Sequence, residues 1–219
     1  GCDVICEKPI VLNPHNIEGL KEIEEETGCK VNTILQLRVH PSIVELRRKL
    51  FEETNFKKHK VNLTYITSRG RWYLQSWKGL DEKSGGIATN IGVHFFDMLH
   101  YLFGKVEANV VHLKNPTRAS GSIEYERASV SWFLSLEVND VPEAQKMLGQ
   151  RTYRSITIDG EEIEFSDGFT DLHTRSYKEI LAGNGFGLDE NLCAISTVSE
   201  IRHSEISNTG IKHSILRAP

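Results

Sequence analysis

The sequence predicts an α+β chain: the tail end of a doubly wound α/β unit, then a large, mainly antiparallel open sheet with helices on one face. Three observations predict it. Short apolar runs at residues 3–6 and 31–35 flank a helical stretch, which is the strand–helix–strand order of a parallel unit. From about residue 60, apolar side chains recur at every second position, as in Val61, Leu63, Tyr65 and Thr67, and again in Val130, Trp132, Leu134, Leu136 and Val138. Asp159-Gly160 then supplies a hairpin turn between two such runs.

Taken in order, Asp3 to Cys6 reads as the end of a buried strand. Asn13 as N-cap and Pro14 at the first helical position open a helix, whose stripe is Ile17, Leu20 and Ile23 and whose stop is Gly28. Val31 to Leu35 is the next strand, and a helix from Pro41 carries Ile43, Leu46 and Leu50 on one face. Residues 69–89 are loop-like, and a helix over Asn90 to Phe103 ends at Gly104. Strands follow at 106–114, 121–127, 129–138, 153–158 and 161–166, and two helices close the chain, one from Asp171 to Gly183 and one from Asp189 to Ser204. The expected division is 1–40 as the C-terminal end of a Rossmann domain and 41–219 as an α+β substrate-binding and oligomerisation domain.

Composition narrows the function classes. The 219 residues suffice for one sizeable domain, or one domain and part of another. A net charge of −4 lacks the footprint of a nucleic-acid binder. No apolar run has membrane-spanning length and no signal peptide is evident, so no membrane partner and a cytoplasmic location are expected. The cysteines Cys2, Cys6, Cys29 and Cys193 stand singly and read as reduced, partly buried thiols. The histidines form no HExxH or paired-ligand pattern, so no metal site is expected. Gly183-Asn-Gly185-Phe-Gly187 follows a helix instead of a strand and reads as a helix stop, not a dinucleotide loop.

Two motifs carry chemistry. Glu7-Lys8-Pro9 directly follows a strand, where the carboxyl ends of α/β sheets bind ligands. Gly85-Gly86 precede Asn90, His94 and Asp97, spaced i, i+4, i+7 on one helix face, with Ile91, Phe95, Leu99 and Leu102 on another. A histidine near a helix start is suited to act as a general base, its neutral form favoured by the helix amides. Spacing alone equally accommodates a capped amphipathic helix with a histidine at a boundary, and a lysine in an exposed turn.

Together, the motifs resemble the glucose–fructose oxidoreductase / inositol dehydrogenase (Gfo/Idh/MocA-like) family of NAD(P)-dependent sugar oxidoreductases. There Glu-Lys-Pro closes the Rossmann domain, and Gly-Gly-x-x-x-Asp-x-Gly-x-His-x-x-Asp opens the active-site helix. Asn90 stands where that family usually has aspartate. With the runs 32–41, 63–73, 84–97 and 166–177, it makes the chain similar to UDP-N-acetylglucosaminuronate 3-dehydrogenases of surface-polysaccharide synthesis. The resemblance implies Lys8, His94 and Asn90 as the catalytic group and NAD as cofactor, with Glu7 and Lys8 at the cofactor; Gln36 and Arg38, at the end of the strand before Pro41, are further candidates for cofactor contact. His40 is a further contact candidate. It implies a UDP-sugar substrate oxidised at its 3-hydroxyl.

The substrate's diphosphate, carboxylate and base call for cations and rings. Arg69, Arg71, Trp72, Tyr73, Trp77, Lys78 and Lys83 fall in one segment, from which Arg69, Tyr73, Trp77 and Lys83, with Asn90, are the expected substrate contacts. An open sheet face suggests a homo-oligomer, dimer or tetramer. No Gly-x-Gly-x-x-Gly and no acidic ribose anchor occur in residues 1–6, so the 219 residues alone are expected to bind NAD weakly or not at all and to be inactive. The competing expectation is a non-catalytic assembly or substrate-binding module derived from such a dehydrogenase.

Overall fold

The computed structural model describes residues 1–53, 57–163 and 171–216. Strands β1 (Val4–Cys6) and β2 (Val31–Thr33) pair in parallel, Val4 opposite Val31, and helix α1 (His15–Thr27) makes the crossover that parallel pairing requires. The N-cap of α1 is Pro14, already at helical angles, with no side-chain cap. Asn13 contributes its carbonyl, which accepts from Asn16 N–H at 3.1 Å, and this corrects its expected role. Gly28 ends the helix at φ 70, its N–H donating to the Glu24 carbonyl.

Two burial expectations fail here. Val4 is 49% exposed and Ile5 38%, because β2 covers one edge of β1 and little else among the described residues packs on it. Ile23 is exposed as well, leaving Ile17 and Leu20 to dock α1. Strand β2 is shorter than expected. Ile34, Leu35 and Leu37 are all buried, a pattern no strand face can supply, and the chain turns into a 3₁₀ helix over Gln36–Val39. Helix α2 (Pro41–Glu52) follows, its N-terminus capped by His40 Nδ1, which accepts from Ser42 N–H.

The main sheet starts with β3 (His59–Thr67). The segment expected to be loop contains helices α3 (Arg71–Gln75) and α4 (Asp81–Ser84) with a 3₁₀ turn between them. A π turn over Ala88–Gly92 leads into α5 (Val93–Phe103). Then come β4 (Val106–Lys114), β5 (Arg118–Tyr125), β6 (Ala128–Ser135), the short helix α6 (Glu143–Met147), β7 (Thr152–Ile158), β8 (Glu161–Glu162), α7 (Leu172–Leu181) and α8 (Leu188–His203). The sheet order is β4-β5-β6-β3-β7-β8, with β3–β6 parallel and every other pair antiparallel. The Asp159-Gly160 hairpin forms with φ of 53° and 90°. Strand β6 ends before Val138, which is exposed in a 3₁₀ turn, and positions 164–170, including part of the strand expected at 161–166, lie outside the described residues. No side chain caps α7 at Asp171, which sits at φ 67. Cys2 is exposed, not partly buried.

The core lies between one face of this sheet and helices α5 and α8. Val61, Leu63, Ile123, Val130, Trp132 and Leu134 meet Phe96, Leu99, Ile195 and Val198, and the Phe96 and Trp132 rings pack edge-on at 5.2 Å. Gly92 permits the close approach, since a Cβ there would lie 2.7 Å from both Leu134 Cδ1 and Phe96 Cε2. The opposite face is not open throughout, as the sequence suggested. Residues 205–216 run from the β4 edge, where Ser207 N–H donates to the Val111 carbonyl, across to His213, which is buried, stacked on Phe133 and 3.1 Å from Thr64 Oγ1. What remains beside it is small and polar, with Ser131 Oγ donating to Asn62 Oδ1.

One buried ion pair joins the two parts. Arg38 Nε and Nη2 reach both oxygens of Asp97 at 2.6–3.1 Å, and Nη2 also donates to the Glu190 carbonyl. Both side chains are nearly inaccessible, and the guanidinium lies 5.0 Å from the Tyr101 and Phe186 rings. Asp97 therefore does not share the outward face of Asn90 and His94. Three residues turn a helix by about 300°, so Asp97 lies about 60° round α5 from His94 and meets Arg38 beside the cavity lining. Arg38→Met, which leaves Asp97 buried without its cation, is expected to cost about 3–5 kcal/mol in urea unfolding. A cost within about 0.5 kcal/mol would show that the pair holds nothing together.

Candidate active site

The π turn before α5 and the segment after β1 meet at a cavity of about 290 Å³. Gly85 and Gly86, at φ of 71° and 72°, turn the chain into this helix, and a Cβ on Gly85 would strike Thr89. A π turn loosens the regular ladder of carbonyl acceptors and recurs at functional sites. Here the Asn90 carbonyl, inside the turn, accepts from Lys8 Nζ at 2.7 Å. The Asn90 amide donates from Nδ2 to the Tyr73 hydroxyl at 2.6 Å, so one residue orients the lysine with its backbone and the phenol with its side chain. Tyr73 keeps its own O–H to donate into the cavity.

The electrostatics follow from burial among cations. Desolvation lowers Lys8 to about 8; Glu7 works against it, and Lys78 and Arg69 add to it. His94 is held well below its ordinary value, first by burial and then by Lys8, His173 and Arg154. That corrects the helix-end explanation: helical backbone already begins at Ile87, and His94 lies more than a turn inside it. Burial pushes the Tyr73 phenol up, against Asn90 and Arg69. At neutral pH the cavity thus presents a neutral imidazole, a readily deprotonated ammonium and a neutral phenol.

Of the residues expected at the catalytic, cofactor and substrate sites, Lys8, Gln36, Arg69, Tyr73, Asn90 and His94 line this cavity, and Trp72 and Lys78 from the same cationic segment line it too. Four others do not. Glu7 is exposed and faces His173 Nε2 at 3.2 Å. Arg38 is committed to Asp97. Trp77 is exposed, its ring 5.7 Å from Lys78 Nζ, and Lys83 is exposed on α4. Tyr65 and Arg154 line the cavity without having been foreseen. The available signal was a lone arginine on the core-facing register of β7, alternating with Ile156 and Ile158. Cross-strand pairing brings Arg154 opposite Tyr65, which sequence spacing does not reveal.

Comparison with known proteins is decisive at family level. The profile described as "Oxidoreductase family, C-terminal alpha/beta domain" matches residues 55–137. The WlbA (WbpB) dehydrogenase of Thermus thermophilus, solved with NAD and UDP-GlcNAcA, is 49% identical, with a TM-score of 0.92 over 97% of this chain and 68% of that one. The chain belongs to the GFO/IDH/MocA oxidoreductase family. The same Thermus thermophilus enzyme solved with NAD and alpha-ketoglutarate gives 51% identity and a TM-score of 0.90, over 94% of this chain and 66% of that one. An inositol 2-dehydrogenase of Rhizobium meliloti is 27% identical over 112 residues, half of this chain and 32% of the relative. The chain thus spans about two thirds of the solved dehydrogenase, and its match covers about a third of the curated relative.

Because the Lys8 charge helps keep His94 neutral, Lys8→Met is expected to raise the His94 pKa toward 6.5, as read by NMR titration of the imidazole. An unchanged His94 titration would show that the two charges do not meet in this cavity.

Proposed function

We propose that this chain carries the substrate side of an NAD-dependent UDP-sugar dehydrogenase, which oxidises the 3-hydroxyl of a UDP-N-acetylglucosaminuronate-like substrate to a ketone. The observation that carries the reading is Lys8 and His94 on one small cavity, both with lowered proton affinity and with the lysine fixed by Asn90. The identity to the Thermus thermophilus enzyme supports the substrate class. Residues 1–40 then close a nucleotide-binding domain, and 41–219 form the substrate and oligomerisation domain, with the polar sheet face as the surface between copies.

His94, neutral, accepts the hydroxyl proton. Lys8, as the ammonium, donates a hydrogen bond to the same oxygen and stabilises its developing negative charge in a partly buried site lined by cations. Asn90 keeps Lys8 and Tyr73 in register and adds no charge. Leu37, Ile91, Phe95 and Gln36 are all in the lining, and apolar side chains with one amide suit the flat ring and carboxamide of a nicotinamide. Bound NAD⁺ supplies the hydride acceptor. Gln36 and Lys8 would hold that end, with Glu7 at its margin. Arg38 is left out of the cofactor contacts because its guanidinium is already paired.

In an enzyme containing these residues and a dinucleotide-binding domain, His94→Ala is expected to abolish NADH formation from UDP-GlcNAcA, and turnover within a few-fold of the parent would remove His94 from the reaction. The pH profile of kcat/KM has a definite sign. Protonated His94 cannot accept a proton, and its depressed pKa moves the acid limb below 6.5. Loss of the Lys8 charge gives an alkaline limb near 8, absent in Lys8→Arg. The 219 residues alone are expected to bind NAD weakly, and a submicromolar Kd by calorimetry would contradict this.

A further inference from the structure

The cations around the cavity come from three separate stretches of chain. Lys8 follows β1, Arg69 and Lys78 lie between β3 and α4, and Arg154 is on β7. No Asp or Glu lines the cavity among the described residues. Charges of one sign around a small, partly buried space repel one another, and Lys78 and Arg69 add in this way to the burial that chiefly lowers Lys8. A ligand that brings negative charge relieves that repulsion.

The cations fall into two groups. Arg69 and Lys78 come from the segment between β3 and α4, whereas Arg154 comes from β7 and lies against Tyr65; its charge also bears on His94. Arg154 stands opposite Tyr65 in the β3–β7 register, with its guanidinium 5.4 Å from the ring centre, and the Tyr65 ring packs 4.9 Å from Phe95, the neighbour of His94. A guanidinium laid against a ring has its plane fixed, and its edge N–H groups then suit a carboxylate.

A pyranose imposes a matching geometry. Carbon 3 lies across the ring from the ring oxygen, and carbons 1 and 5 flank that oxygen. With the 3-hydroxyl between Lys8 and His94, an anomeric diphosphate and a carboxylate on carbon 5 point to two different sides of the cavity. From the placement of Arg154 on the His94 side, apart from Arg69 and Lys78, we infer that Arg154 is the residue that selects a uronate, receiving the carboxylate on carbon 5. Arg69 and Lys78 serve the diphosphate side. This rests on the dehydrogenase reading above and adds to it the residue that distinguishes an acidic sugar from its neutral counterpart.

The test uses the complete dehydrogenase containing these residues, with UDP-GlcNAcA and UDP-GlcNAc, which carries CH₂OH in place of the carboxylate. Calorimetry gives the Kd of each ligand, and steady-state kinetics give KM and kcat for the uronate. Arg154→Gln is expected to weaken uronate binding about 10- to 100-fold, with KM rising more than kcat falls. Binding of UDP-GlcNAc should stay within about threefold, so the preference between the ligands collapses. Arg154→Lys, which keeps the charge and loses the fork, should recover part of it and serves as the test if the glutamine variant does not fold. Equal losses for both ligands, or an unchanged preference in both variants, would overturn the inference. Failure of the unmodified enzyme to form NADH from UDP-GlcNAcA would overturn the dehydrogenase reading instead, leaving the binding comparison to judge Arg154 separately.

Discussion

The Lys8–Asn90 hydrogen bond is the contact on which the site depends. Its donor lies just beyond a three-residue strand and its acceptor inside a π turn, 82 positions apart in the chain. An ammonium drawn out of water is costly, and the carbonyl inside the π turn compensates for part of that cost by accepting from it. The same bond holds the lysine at the cavity, where burial first and then the Lys8 charge lower the hold of His94 on a proton. Asn90 matters here in a way a carboxylate would not. An aspartate at this position would bring negative charge beside both groups and raise both, whereas the amide holds Tyr73 and leaves the field of the cations intact.

That contact is held in register by packing elsewhere. Arg38 ties the turn after β2 to Asp97 on α5 and to the start of α8, fixing the helix that presents Asn90 and His94 relative to the strand that presents Lys8. Gly92 and the Phe96–Trp132 contact set how closely the same helix lies on the sheet. The sheet in turn brings Arg154 and Tyr65 to the cavity from the far side of the sequence. A shared helix thus links stability to the site: Arg38–Asp97 anchors the helix that brings Asn90 and His94 to the cavity, although neither residue lines it.

Local signals were legible in the sequence, and non-local ones were not. Alternating apolar residues located β3 and β6, Asp159-Gly160 located the hairpin, and Gly104 located the end of α5, because each depends on neighbours in the chain. Lys8, Asn90 and His94 stood out through motif and family resemblance, and the fold brings them to one cavity. The errors have physical causes. Val4 and Ile5 looked buried because apolar strands usually are, yet burial depends on what packs beside them. Arg38 looked available because it lies near the ligand-binding end of a strand, and Asp97 seemed to share the His94 face because seven residues nearly complete two turns. Only tertiary structure shows them paired. Trp77 and Lys83 belong to a segment whose composition suits a sugar nucleotide, but short helices turn them to the surface.

The measurement closest to the central claim follows the hydrogen on carbon 3. UDP-GlcNAcA deuterated at that carbon, given to the complete dehydrogenase containing these residues with NAD⁺, should deliver its deuterium to the reduced cofactor and leave a 3-keto sugar. Deuterium remaining on the sugar while NADH forms would place the oxidation at another carbon and contradict the arrangement of Lys8 and His94 around the 3-hydroxyl.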